Sequence, residues 1–212
     1  MINPSLIITS VNRRYLSGFS SSLGYLFAVD NRLILYVDGR YFQAATKGVK
    51  KGVEVRLLIR LKDAIGQIIG EFNLNELNIE TEITVSEANT IKSIYKNAQP
   101  NQALTDSLYE MRGIKSHKEK EQIIKAQRLA ESAFDNIFIY IKAGRTEKEV
   151  ALELEYNCKR LGADDMSFET IAVSGKNSAL PHGVPTYKPI ENGDFLTMDF
   201  GVLYGGYCSD MT

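Results

Sequence analysis

Two aspartates near the end of the 212-residue sequence, in FLTMDFGVLYGGYCSDMT (195–212), are set as a metal site would set them. Gly205-Gly206 is a two-residue hairpin signal, because glycine takes the positive φ angles that such turns need. If Tyr204 pairs with Tyr207, then Gly201 opposes Asp210 and Asp199 opposes Thr212. Residues two apart on a strand share a face, so Asp199, Gly201 and Asp210 point the same way, with the carboxylates as diagonal neighbours. Carboxylates converging among Met198, Phe200, Val202 and Met211 repel one another and lose hydration, and a cation between them keeps both ionised. Oxygen-rich ligation suits Mn²⁺, Mg²⁺ or Zn²⁺, and one bridging aspartate would give the roughly 3.5–4 Å metal pair used in hydrolysis. Gly201 is expected to leave room for the ions. The bland alternative, two solvated aspartates in an exposed hairpin, fits the spacing too.

The elements that must hold this hairpin are legible upstream. Ser116 with Glu119 forms a capping-box pattern that opens a long helix, with apolar positions from Ile123 to Ile141 at intervals of three and four and Gly144 as its expected left-handed cap. Thr146 with Glu149 repeats the box and opens a second helix ending at Gly162. Strand patterns follow over 168–173 and, after the loop SGKNSALPHGVP, over 195–204 and 207–212. The first half alternates strands (6–9, 25–29, 33–37 and 55–59) with a helix from about Gly39 to Val49, then weaker signals between Lys62 and Lys92. That alternation predicts an α/β layer with a central sheet. The polar stretch NAQPNQALTDSLYEMRGIKS, with Pro100 and Gly113, reads as the boundary between residues 1–111 and 112–212.

Composition removes several classes of function. Lys plus Arg is 25 and Asp plus Glu is 26, a net charge of −1. A nucleic-acid or anionic-membrane binder carries a basic footprint that this chain lacks. No apolar run reaches the roughly 18 residues of a membrane span. Cys158 and Cys208 fit no disulfide framework or CxxC motif, and no leader pattern stands at Met1, so a reduced cytoplasmic setting is expected. SGKNS lacks the Ser or Thr and the earlier glycine of a phosphate loop, and GFSSSLG fails the nucleophile-elbow pattern. His117, among Lys118, Glu119 and Lys120, reads as a surface residue. Cys158 and Cys208 both read as small buried hydrophobes.

The run FETIAVSGKNSALPHGVPTYKPIENGDFLTMDFGVLYGGYCSDMT, with its order PHG, GD, MDFG and YCSD-T, closely resembles the opening of the catalytic domain of the proline-specific pita-bread metallopeptidases, the Xaa-Pro aminopeptidases and Xaa-Pro dipeptidases (prolidases). NRRYLSGFSSSLGYLFAV and VDGRY resemble their creatinase-like N-terminal domain, and MRGIKSHKEKEQIIKAQ the helix that opens the catalytic half. Methionine aminopeptidases share the aspartate hairpin but generally lack the YLSGF and DGRY features.

The resemblance implies an α/β creatinase-like domain over 1–111, followed by the first half of an α+β pita-bread domain over 112–212. It implies Asp199 as a two-oxygen ligand of one metal, Asp210 as a ligand bridging two, and His182 beside the site assisting substrate binding and proton movement. The cofactor implied is a pair of divalent ions, Mn²⁺ first and Co²⁺ or Zn²⁺ next. Metal-activated water would attack the carbonyl before proline in peptides or dipeptides. A homodimer is expected, with no nucleic-acid or membrane partner. The family completes its ligand set with a histidine and two glutamates further along, so this stretch alone is expected to be inactive. The competing reading is a non-catalytic peptidase-like module for binding or dimerisation.

Overall fold

The structure is a computed structural model that describes residues 4–212. The chain forms two compact units, divided between Ile114 and Lys115.

The first unit is built on a six-stranded sheet. Its strands are β1 (Ser5–Ile7), β2 (Gly24–Val29), β3 (Arg32–Val37), β4 (Val53–Leu57), β5 (Leu77–Ile79) and β6 (Ala98–Pro100), in the spatial order β4-β3-β2-β1-β5-β6. β2 is antiparallel to both β1 and β3, and the outer pairs are parallel. Strands buried on both faces are apolar at successive positions. Here the alternation divides the core in two. Leu6, Phe27, Val29, Ile34 and Tyr36 join one cluster with Ile65 and Ile68 of α3 (Leu61–Phe72) and Ile91 of α4 (Val85–Ile94). Ile7, Leu26, Leu35 and Val37 join the other with Leu16 of α1 (Ser10–Ser17), Ala45 of α2 (Gly39–Gly48), and Leu104 and Leu108 of α5 (Gln102–Gly113). The result is an α/β/α layer. The first strands and α2 stand where the pattern predicts them. The VNRRYL stretch, to which the sequence pattern assigns no element, is a helix, α1, and most of the polar boundary stretch is α5.

α1 begins without a side-chain cap at Thr9. Its start is held by Glu80, fully buried, which accepts hydrogen bonds from the Ile8 N–H (2.5 Å), the Thr9 N–H (2.9 Å), the Thr9 hydroxyl (2.7 Å) and the Asn12 amide. A carboxylate at a helix N-terminus satisfies orphan amides and opposes the positive end of the dipole.

The second unit packs two helices on short strands. α6 (His117–Ile137) and α7 (Glu147–Leu161) both open with complete capping boxes, at Ser116/Glu119 and Thr146/Glu149. Gly162 closes α7 at φ 110°. α6 ends at Ile137, short of the predicted stop, and Gly144 turns at φ 91° in the connection that follows. Ile124 and Phe138, which the periodicity put on the buried stripe, are exposed. β7 (Asp165–Met166) lies beside β10 (Val202–Tyr204), which pairs with β11 (Tyr207–Cys208), while β8 (Ile171–Ser174) pairs with β9 (Leu196–Asp199). Ala126, Ala130, Ala133, Ile137, Val150, Leu154 and Cys158 bury the helix faces against Ala172, Phe200 and Val202.

Candidate metal centre

The predicted hairpin is present. Tyr204 pairs with Tyr207 and Leu203 with Cys208 across Gly205-Gly206, whose φ values are 54° and 76°. The same register returns at Phe200↔Met211, where the two backbones exchange hydrogen bonds of 3.0 Å. Gly201 thus stands opposite Asp210, and Asp199 opposite Thr212. Phe200 and Val202 are fully buried beneath the helices, so the alternating positions Asp199, Gly201 and Asp210 face away from that core.

One expectation changes here. The run 195–204 is two strands, broken at Gly201, and Gly201 does not serve chiefly to make room for ions. A Cβ there would run into the Ser209 carbonyl oxygen and the Ser167 hydroxyl. Ser167 donates its N–H to the Gly201 carbonyl (2.9 Å) and its hydroxyl to the Ser209 carbonyl (2.9 Å), while Val202 donates its N–H to the Ser209 hydroxyl (3.1 Å). Only glycine permits this close crossing, which locks the backbone between the two aspartates.

Asp199 and Asp210 line one open cleft of about 550 Å³ with His182, Phe168, Thr170 and Val184. Sequence spacing placed the aspartates together, and tertiary structure adds His182. His182 rides an exposed loop pressed onto β8, where a Cβ at Gly183 would meet the Val173 methyls at 3.0 and 3.1 Å. Among the described residues, neither aspartate carboxylate has a hydrogen-bond or ion-pair partner. Two oxygen donors left unsatisfied on one face of a cleft fit a hard divalent cation. They do not complete a site, since no group of three or more His, Cys, Asp or Glu suited to a metal occurs among the described residues.

Sequence reading missed Thr170, which lies just before β8. It is 6 % exposed, and its hydroxyl is the buried side-chain polar atom without a partner among the described residues. A buried hydroxyl normally finds a hydrogen bond, so an orphan at a cleft wall suits a ligand or water. No local pattern marks it, because its burial comes from the fold around it. Of the remaining candidates, His117 is a surface residue 3.4 Å from Glu121. Cys158 is buried, and burial pushes its thiol up to about 11. Cys208, expected inside, is exposed, because the short β11 is an outer strand of its sheet.

Comparison with known proteins accounts for both units. The creatinase/prolidase N-terminal domain matches residues 2–114, and metallopeptidase family M24 matches residues 121–212. Over 212 residues the chain is 34 % identical to an uncharacterized peptidase of Bacillus subtilis and 34 % identical to the Xaa-Pro dipeptidase of Pyrococcus furiosus. It is aligned over its whole length in both cases, against 60 % and 59 % of those proteins. The Xaa-Pro dipeptidase structure from Bacillus anthracis superposes with a TM-score of 0.90 at 34 % identity, covering 99 % of this chain and 59 % of that one. The chain thus spans about 60 % of the length of the relatives it matches. With a creatinase-like sheet ahead of an M24 hairpin and its aspartate pair, the chain belongs to the Xaa-Pro aminopeptidase and prolidase family of metallopeptidases.

Proposed function

We propose that the protein hydrolyses the peptide bond preceding proline, in dipeptides or at peptide N-termini, with residues 4–114 as its non-catalytic domain and the cleft of the second unit contributing to the active site. The observation that carries this reading is the pair of unpartnered carboxylates, Asp199 and Asp210, sharing a cleft with His182. In this reading Asp199 and Asp210 hold the divalent ions, with the other ligands supplied from outside the described residues. The ions would supply Lewis-acid polarisation of the scissile carbonyl and a lowered pKa for water.

This chain's own groups would act around them. His182, exposed at the cleft rim, orients the substrate and carries a proton at its imidazole. The Thr170 hydroxyl offers a hydrogen bond at the cleft wall. Phe168, Val184 and Pro185 give the cleft apolar surface beside the carboxylates, suited to a proline ring, which brings no amide N–H to satisfy. Manganese as the working metal and a homodimeric state belong to the same proposal. A reducing, cytoplasmic setting is supported by two unpaired cysteines, and no helix among the described residues is long and apolar enough to cross a membrane.

The test is an assay of the full natural protein on an Xaa-Pro dipeptide and on a peptide with proline second, with Mn²⁺ added. Cleavage of either is expected, falling to background in Asp210→Asn. Undiminished turnover in that variant would overturn the assignment. The competing reading, a non-catalytic binding module, is disfavoured because both aspartates stand free in an open cleft.

A further inference from the structure

The loop that carries His182 closes on one buried carboxylate. Glu147, the first residue of α7, is fully buried. Its Oε1 accepts from the Ser174 N–H (2.7 Å), the Ser174 hydroxyl (3.1 Å) and the Asn177 amide (3.0 Å). Its Oε2 accepts from the Thr186 N–H (3.0 Å), the Thr186 hydroxyl (2.6 Å) and, at 3.3 Å, the same Asn177 amide. Ser174 and Asn177 precede His182 and Thr186 follows it, so one oxygen ties down the entry of the loop and both oxygens together clasp it. An outer ring holds the clasp. Lys188 Nζ donates to the Ser174 hydroxyl (3.0 Å) and to Asp194 (2.7 Å), which leaves the Ser174 proton free to point at Glu147.

We infer that Glu147 is a positioning residue for His182, fixing both ends of its loop so that the imidazole faces the cleft of Asp199 and Asp210. The inference rests on the role proposed for His182. The chemistry demands a carboxylate. Every neighbour donates, and a glutamine turned either way would set its NH₂ group against a backbone N–H, of Ser174 or of Thr186. Burial alone would push the Glu147 carboxyl up, but the donations from Thr186, Ser174 and Asn177 outweigh it and hold the group below its ordinary range, hence ionised. A plain staple between α7 and β8 would need only Ser174. The Thr186 bonds carry the same carboxylate to the far side of the loop, beside the backbone bonds by which the Lys148 and Glu147 N–H groups donate to the Thr186 and Lys188 carbonyls (3.0 and 3.1 Å).

Two measurements on Glu147→Gln test this. Hydrogen exchange is expected to accelerate at least tenfold at amides between Ser174 and Thr186, while β9 and the α6–α7 core keep their protection. In the full natural protein, kcat/KM for an Xaa-Pro dipeptide is expected to fall about 10- to 100-fold, the usual cost of losing a supporting hydrogen-bond partner. In a His182→Ala background the same change should cost less than twofold. Additive losses in the double variant, or unchanged exchange in the loop, would overturn the inference. If the wild type cleaves no Xaa-Pro peptide, the proposed function fails while the exchange result still decides how the loop is held. Should Glu147→Gln fail to fold, Thr186→Val removes one donor at an exposed position. It must speed exchange in the same amides, or the inference falls.

Discussion

In the first unit, the buried carboxylate of Glu80 is met by donors from the link between β1 and α1 and from Asn12 of α1, whereas in the second, Asp199 and Asp210 reach an open cleft with no partner among the described residues. Glu147 belongs with Glu80, although it stands in the same unit as the aspartates. The difference separates carboxylates that build the fold from carboxylates kept for a ligand. A saturated carboxylate contributes stability because each donor would otherwise be buried unpaired. An unsaturated pair of like charges costs stability in the absence of a cation, and proteins retain such groups where function needs them.

The contrast can be broken most directly at Glu80. Glu80→Ala strands donors at Ile8, Thr9 and Asn12, in the link before α1 and in its first turn, and is expected to lower the chain's unfolding free energy by about 3–5 kcal/mol. A loss below about 1 kcal/mol in urea titration would show that Glu80 does not hold α1. Next comes the aspartate pair. In chelator, Asp199→Asn combined with Asp210→Asn should leave the thermal midpoint unchanged or higher. Mn²⁺ should raise the midpoint of the full natural wild-type protein, by about 1.4 kcal/mol of stability for each tenfold excess over its dissociation constant, and leave the double variant unmoved. A metal-free variant that melts well below wild type would place the aspartates among the structural carboxylates.

The smallest effect is the pH dependence of Glu147. Its folded pKa lies below its ordinary value of 4.5, so its contribution to stability is complete above that value and is lost as the pH falls below 4.5 through the lower, folded value. The stability gap between wild type and Glu147→Gln should therefore be widest near neutral pH and shrink toward pH 3. The change is on the order of 1.4 kcal/mol for each unit by which the folded pKa is displaced. A gap that stays constant with pH would mean that folding leaves the carboxyl unshifted, and one that widens toward pH 3 would mean that it is protonated in the fold.

Local signals carried far where the chain supplied its own partners. Gly205-Gly206 set the hairpin register out to Phe200↔Met211, since a two-residue turn allows few alignments. The capping boxes at Ser116 and Thr146 marked the starts of α6 and α7 because both members lie within one turn. α1 was not legible. Its N-cap, Thr9, makes no side-chain capping bond to the helix's own N–H groups, and the carboxylate that holds its start comes from residue 80. α5 was hidden by its polar composition, although Asn101 caps it and Leu104 and Leu108 are fully buried beneath it.

The sequence by itself determined that two aspartates share a face of a hairpin, that two capped helices precede it, and, through its motif order, the family to which it belongs. Only the tertiary structure decided that Gly201 is demanded by the Ser209 backbone, that Thr170 keeps an unspent hydroxyl in the cleft, and that Glu147 clasps the loop carrying His182, a residue that the resemblance had already implied beside the site. The physical reason is range. Strand alternation, turns and caps are satisfied within a few residues, whereas burial and the saturation of a carboxylate depend on donors brought from tens of residues away.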